Sequence, residues 1–281
     1  MMSNRGSNLP PGVPPELAHL YVPGGAIAQT AAAQEPMLEG YRQIDRTLLP
    51  GLQACGLTID SVDGLEGSTL GTYPPAVRQA VVEYAAQQIP LIWGRQELDL
   101  HARRNRVDLL CRQFAASQVS VSGAPLISLF ETKTPETLAY TVADVMSRAL
   151  IKREDATVQW LSGVLRGEKD GLFFGIDSRD ESHVWMTKAA FALALARIEP
   201  SAANAALITP VFEHAPLEFG EALKRIALDG ELNQEDRSEI FEFLDSKREW
   251  VTKNYPAAVS ASFVKTVASV RKATYPGPRR S

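Results

Sequence analysis

The second half of this chain is a succession of short helical patterns with no strand pattern between them. Apolar residues recur at three- and four-residue spacing over residues 139–151, 156–165, 185–198 and 203–212, which is the spacing of an amphipathic helix. Each pattern is about two to four turns long. Short helices that follow one another through short turns predict helix pairs stacked in a row, an architecture that usually binds a partner.

The composition places the chain in the globular class. Of its 281 residues, 45% are hydrophobic and 22% are charged, which is far from the composition of a disordered protein. No stretch approaches the roughly 18 uninterrupted apolar residues of a membrane span. The first ten residues also lack the apolar segment of a secretory signal peptide. We therefore expect no membrane partner and a cytoplasmic location.

The charge balance argues against nucleic acid as a partner. The chain carries 29 Lys and Arg against 33 Asp and Glu, a formal net charge of −4. Sequence-independent affinity for nucleic acid depends on clustered positive charge that displaces counterions. Only a local basic patch could supply it here.

Three regions are predicted along the chain. Residues 1–34 contain many prolines, a Gly24-Gly25 pair and an alanine run, and such a segment buries too little apolar surface to offset its ordering entropy. We expect a flexible N-terminal arm there, although such a terminus can also be an export signal of a secreted bacterial effector. Residues 35–274 are predicted to form a single helical-repeat domain, and 275–281 a flexible tail.

Local signals place the helix ends. A helix is predicted to begin at Glu35-Pro36, with proline in its first turn, and to bend or end at Pro50-Gly51. Thr134 is predicted to cap a helix that opens at Pro135. Gly230 is predicted to end one helix and Asn233 to cap the next. Further helices are predicted over these ranges: 74–90, 98–116, 217–228, 235–244, 250–255 and 257–273.

A set of packing motifs runs through residues 48–65 with the helix that follows to Pro90, then 124–126, 138–146 and 186–194. Over about residues 40–230, the chain resembles bacterial HEAT-repeat-like proteins in these motifs. The resemblance implies an all-α α-solenoid of stacked helical hairpins, in which inner and outer helices alternate and a concave groove receives a partner. Its motifs are packing motifs, so it implies no catalytic residues.

The candidate binding residues surround one concentrated basic run, His101-Ala-Arg-Arg-Asn-Arg106. On a helix, Arg103 and Arg106 are predicted to share a side and to contact an anion or an acidic partner. The alternative is a solvated helix face paired with Glu97 and Asp99. A tryptophan between Pro90 and Gly94 is predicted to be an exposed contact. The predicted binding set is Trp93, Arg95, Arg103, Arg106 and Arg112.

The sequence offers no recognisable catalytic, cofactor or metal motif. Nucleophile-elbow, phosphate-loop and dinucleotide-binding patterns are absent, and Cys55 and Cys111 form no CxxC pair. Both cysteines are predicted to be small buried apolar residues. Residues 177–183 have metal-ligand side chains but match no metal-binding spacing. They are better explained as a loop in which Asp180 or Ser182 caps the next helix, so no cofactor and no metal is expected.

The sequence thus predicts a non-catalytic binding or scaffold protein with a protein partner. One specific form is an immunity protein that occludes a toxin, since an acidic chain suits a basic toxin domain. The alternative is a HEAT-like enzyme acting on nucleic acid, similar to DNA glycosylases of that architecture, or on a small anion. A deep pocket with a carboxylate beside Arg103 or Arg106 would favour the enzyme, and a broad groove with exposed aromatic residues would favour the binding protein.

Overall fold

The computed structural model describes residues 26–66, 70–132, 136–173 and 181–276, and within them the chain is all-α. Its helices are α1 (Ala26–Ala54), α2 (Pro75–Trp93), α3 (Leu100–Ala116), α4 (Ala124–Glu131), α5 (Glu136–Arg148), α6 (Asp155–Leu165), α7 (Glu181–Ile198), α8 (Ala202–Ile208), α9 (Pro216–Asp229), α10 (Gln234–Asn254) and α11 (Ala257–Thr274). Short 3-10 turns lie at Val62–Leu65, Leu70–Thr72, Asp170–Leu172 and Thr209–His214.

The helices form two layers. In the first layer the odd-numbered helices pack side by side in chain order: α1 contacts α3, α3 contacts α5, α5 contacts α7, α7 contacts α9 and α9 contacts α11. In the second layer each even-numbered helix packs on the odd-numbered helix that follows it. The pairs α2–α3, α4–α5, α6–α7, α8–α9 and α10–α11 are therefore stacked hairpins. The predicted all-α, repeat-like fold is confirmed.

One short parallel pairing interrupts the helical pattern. Strand β1 (Ser120–Val121) pairs with β2 (Leu150–Ile151), with Ser120 opposite Leu150. The backbone N–H of Lys152 donates to the Val121 carbonyl at 2.7 Å. The prediction of a helix over 139–151 with no strand after it is therefore wrong at its end. The N–H of Ala149 still donates to the Val145 carbonyl of the helix, and from Leu150 onward the backbone pairs with the neighbouring connection instead.

A continuous apolar core runs between the layers, from Ile44 in α1 to Val270 in α11. Its middle is an aromatic cluster in which the ring of Phe130 lies edge-on to Trp160, Phe173 and Phe191, at centroid distances of 5.6, 5.4 and 5.1 Å. The indole N–H of Trp160 donates to Glu131 at 2.8 Å, so this buried ring keeps its polar atom satisfied. The cluster joins α4, α6 and α7.

Helix α1 is longer than predicted at both ends. It begins at Ala26, so residues 26–34 of the segment predicted as an arm are helical, while residues 1–25 lie outside the described part of the chain. Pro36 is inside the helix and not in its first turn, and α1 also continues through Pro50. A proline in a helix interior costs about 3 kcal/mol. Burial of Ile44, Leu48 and Leu52 along one side offsets that cost.

The C-terminal helices test the predicted caps. Gly230 follows the last residue of α9, and the Asn233 side chain accepts a hydrogen bond from the backbone N–H of Asp236 at 2.8 Å. Both predictions are confirmed. A separate helix over 250–255 is wrong, because α10 runs unbroken to Asn254 and buries Leu244 and Val251 on one face. The predicted cap at Thr134 and Pro135 lies outside the described residues.

Candidate binding groove

The basic run lies in α3, the helix between α1 and α5 in the odd-numbered layer. Asp99 caps it, because its side chain accepts hydrogen bonds from the backbone N–H groups of His101 and Ala102 at 2.9 and 3.0 Å. This cap fixes the start of the helix and thereby which side of α3 each arginine occupies.

Arg106 is buried, with only 4% of its side chain exposed. Its Nε and Nη2 donate to the two carboxylate oxygens of Asp45 in α1, at 2.8 and 2.7 Å, and Nη1 donates to Asp63. The guanidinium carbon lies 4.5 Å from the centre of the Tyr41 ring. Burial by itself lowers the pKa of Arg106, but the hydrogen bonds to Asp45 and Asp63 outweigh it and the pKa is raised. Arg106 therefore remains charged and joins α1 to α3.

Arg103 is buried on the neighbouring side of the same helix. It donates from Nη1 to the carbonyl of Trp93 at 2.8 Å and from Nε to the carbonyl of Leu98 at 3.2 Å. Trp93 ends α2, where the last carbonyls have no partner within the helix, and Leu98 lies in the connection to α3. Arg103 therefore joins α3 to the end of α2 and to the connection. Arg103 and Arg106 are both buried against groups of this chain, so they do not form the exposed basic patch that the sequence predicted.

Trp93 and Arg95 lie at the end of α2. Trp93 is partly buried, and the guanidinium carbon of Arg103 lies 5.5 Å from its ring centre. Arg95 donates to Glu97 at 2.8 Å, as the alternative of a paired surface face predicts, and this hydrogen bond lowers the pKa of Glu97. Asp99 caps α3 and does not form the predicted ion pair in the described contacts.

An open groove of about 680 Å³ crosses three consecutive helices of the odd-numbered layer, α3, α5 and α7. We call it the central groove. Of the predicted site residues, Arg112 lines it, whereas Trp93, Arg95, Arg103 and Arg106 do not. Its lining residues are His101, Arg104, Asn105, Asp108, Arg112, Leu138, Tyr140, Thr141, His183, Met186 and Thr187.

Asp108 is at the polar centre of this groove. One carboxylate oxygen accepts from Arg112 Nε at 2.8 Å, and the other accepts from Thr141 Oγ1 of α5 at 2.7 Å. Nη2 of Arg104 lies 3.3 Å from Nδ1 of His101 on the preceding turn. The polar wall on α3 is thus held in place by hydrogen bonds, one of which crosses to α5.

The apolar part of the groove combines an exposed rim with a buried base. Tyr140 is 46% exposed, whereas Leu138 and Thr187 are buried. Met186 of α7 is partly buried, so its exposure is intermediate between that of Tyr140 and that of Leu138. The groove can therefore contact a ligand through an aromatic ring, aliphatic side chains and cationic hydrogen-bond donors.

A second open groove, of about 810 Å³, lies between α1 and α3. Asn105 lines both grooves, so the two adjoin. The second groove carries the carboxylates Asp45, Asp63 and Glu66 beside Arg42, Arg46 and Arg106. Its charges are balanced, and the ion pairs of Arg106 occupy part of it.

Among the described residues, the other reactive groups form no further cluster. Within the described residues no cluster of His, Cys, Asp and Glu side chains could hold a metal ion, and no described helix has both the length and the apolar content of a membrane span. Burial raises the pKa of the thiols of Cys111, which is fully buried, and of Cys55, which is partly buried. Asp177–Asp180 lie outside the described residues, and Ser182 lies in the first turn of α7 rather than at its cap.

Sequence reasoning missed most of the groove, although α3 carried a signal. His101, Asn105, Asp108 and Arg112 follow one another at spacings of four, three and four residues, which places these polar side chains on one face. The contributions of Tyr140 and Thr141 in α5, and of His183 and Met186 in α7, depend on how three hairpins stack. No local pattern reports that arrangement.

Comparison with known proteins identifies no relative of this chain. No protein-family model, no curated protein and no solved structure matches the chain.

Proposed function

We propose that this is a non-catalytic binding protein of the cytoplasm, whose central groove receives a segment of a partner protein. The observation that carries the proposal is the groove's position across three successive helices of one layer, α3, α5 and α7. Such a surface presents several side chains at fixed separations, because each helix is held by its neighbours. Within the same proposal, the odd-numbered helices are the inner layer of a HEAT-like solenoid.

The chemistry of the groove supports a protein ligand. Arginine, tyrosine and methionine are enriched at protein interfaces, and this groove combines Arg104, Arg112, Tyr140 and Met186. Tyr140 is a large ring with nearly half of its surface exposed. An exposed aromatic residue beside buried aliphatic ones is a typical anchor for a partner side chain.

An immunity protein that occludes a toxin is another form of a binding protein, and it requires a different binding surface. The net charge of −4 suits a basic partner for the molecule as a whole. The groove differs, because among its described lining residues two arginines face one aspartate. A basic toxin domain would therefore have to bind outside the central groove.

An enzyme remains a second candidate because of one observation, the carboxylates beside Arg106. Asp45, Asp63 and Glu66 line the second groove together with that arginine. However, both oxygens of Asp45 already accept hydrogen bonds from Arg106. The carboxylates of Asp45 and Asp63 therefore serve to hold α1 and α3 together through Arg106, and this explains their position better than a role in proton transfer.

The test is affinity capture with purified protein from the cells that produce it, with nuclease treatment, read by mass spectrometry. The groove variants are Arg112→Glu and Tyr140→Ala. The matched control is Arg248→Glu in α10, because Arg248 is exposed to a similar degree and pairs with Asp245 as Arg112 pairs with Asp108. We expect a stoichiometric protein that is recovered with wild type and the control but lost with both groove variants. Equal recovery with all four proteins would contradict a role for the groove.

A further inference from the structure

We infer that the central groove selects an acidic protein segment that carries an apolar anchor residue. This inference rests on the proposed function and specifies the chemistry of its partner. It concerns the groove alone and not the net charge of the molecule.

The first argument is the local sign of charge. Among the ionised side chains of the described residues that line the groove, Arg104 and Arg112 are positive and Asp108 is negative, whereas the whole chain is negative. A concave site whose charge differs in sign from the rest of the surface attracts ligands of the opposite charge.

The second argument is the position of the Asp108 carboxylate in the described part of the groove. Both oxygens of Asp108 accept hydrogen bonds, one from Arg112 and one from Thr141, and only 22% of its side chain is exposed. Arg112 has 60% of its side chain exposed. A ligand therefore meets the guanidinium far more than the carboxylate, and a ligand carboxylate can form a charge-assisted hydrogen bond there.

The third argument is the apolar side of the groove. The partly buried Met186 of α7 and the exposed ring of Tyr140 supply its apolar surface, whereas Leu138 of α5 is buried and contributes little. Its volume of about 680 Å³ is within the range of pockets that bury a ligand of several side-chain groups. A segment that was acidic throughout would leave this apolar surface without a partner, so an apolar anchor beside acidic residues fits best.

The experiment uses short random peptides displayed on phage and selected on the full-length protein. The double variant Arg104→Glu/Arg112→Glu serves for counter-selection, and Arg248→Glu is the control. We expect the selected peptides to place Asp or Glu beside a Leu, Met or aromatic residue. The best peptide, resynthesised with a fluorophore, should bind the double variant about tenfold more weakly and bind wild type more weakly at high salt. Circular dichroism confirms that each variant is folded.

Several outcomes would overturn the inference. Enrichment of basic or uncharged peptides would do so, and so would equal affinity for wild type and the double variant. Binding of inorganic phosphate in calorimetry, without selection of any peptide, would assign the arginines to a small anion. If affinity capture still depends on Tyr140 while the selected peptides are not acidic, the inference fails and the proposed function stands. If neither affinity capture nor peptide binding changes in the groove variants, both the inference and the proposed function fail.

Discussion

At the scale of single residues, Arg106 has the most testable role. We expect Arg106→Ala to lower the free energy of unfolding by about 2 to 4 kcal/mol, because Asp45 loses the partner of both its oxygens in a partly buried site. Urea unfolding measures the change. Arg112→Ala is the control in the same helix, and since its ion pair is a surface one, the expected change is within about 0.5 kcal/mol. Equal losses in the two variants would contradict the assignment.

The placement of these arginines also shows what the sequence could have predicted. Ala102, Val107 and Leu110 define the buried face of α3, and Arg106 follows Ala102 by four residues. Arg103 precedes Val107 by four residues and therefore shares that face. Helical spacing alone thus places both arginines toward the core. The prediction went wrong because charge was taken as a sign of exposure, whereas a buried arginine is acceptable once carboxylates or backbone carbonyls accept its hydrogen bonds.

The two thiols give a second residue-scale prediction. In the native protein we expect Cys111 to resist a thiol-specific chromogenic reagent and Cys55 to react slowly, since burial raises the pKa of both and disfavours the reactive thiolate. In denaturant both should react rapidly. A Cys111→Ser variant assigns the slow phase to Cys55. Rapid reaction of Cys111 under native conditions would contradict its burial in α3.

At the scale of helices, the close approach of α1 and α2 explains why a glycine occurs inside α1. A Cβ on Gly51 would overlap the ring and hydroxyl of Tyr84 in α2, whose Oη lies 3.2 Å from the carbonyl of Thr47. Alanine at a helix interior otherwise favours folding by about 0.5 to 1 kcal/mol. We expect Gly51→Ala to destabilise the protein by about 1 to 3 kcal/mol because the overlap outweighs this gain.

A double-mutant cycle tests that reason. Tyr84→Ala removes the ring, so adding Gly51→Ala to it should cost nothing or stabilise the protein slightly. Thermal or urea unfolding of the four proteins gives the coupling. If Gly51→Ala lowers the free energy of unfolding equally with and without the Tyr84 ring, the close contact does not cause the loss. The loss would then come from the backbone of α1.

Helix ends divide into those that neighbouring residues determine and those that packing determines. The end at Gly230 and the cap at Asn233 depend on local backbone chemistry, and both were predictable. The continuation of α1 past Pro50 and of α10 past Trp250 depends on side chains such as Leu52 and Val251, which are buried against other helices. Helix propensity cannot report such contacts, because tertiary packing overrides it.

At the scale of the whole molecule, the succession of helical patterns was enough to predict stacked pairs, whereas the groove was not predictable. The stack follows from patterns that are each local. The groove requires His101, Tyr140 and Met186 to meet across three helices, and their separation depends on how the hairpins pack. Arg112 was the predicted residue that lines it, because its helical position happens to face outward.

The continuous core has a consequence for how the molecule unfolds. Val145 in α5 and Leu195 in α7 are fully buried, and these two helices pack against each other. We expect Val145→Asn and Leu195→Asn each to lower the free energy of unfolding by about 2 to 5 kcal/mol, through lost packing and a buried amide. Leu193 is only partly buried, so we expect Leu193→Asn to lower the free energy of unfolding by less. Leu228→Asn is the control, since that leucine is 42% exposed.

The shape of the transition then distinguishes one cooperative unit from a stack that frays. Trp93 in α2, Trp160 in α6 and Trp250 in α10 report on widely separated hairpins, whereas far-UV circular dichroism reports on all helices. If the core couples neighbouring hairpins strongly, fluorescence and circular dichroism should follow one urea transition in wild type and in the Leu195→Asn variant. Versions that retain a single tryptophan, with phenylalanine at the other positions, make the comparison local. An early transition at Trp250 with Trp160 unchanged would mean that α10 and α11 unfold independently of the middle of the stack.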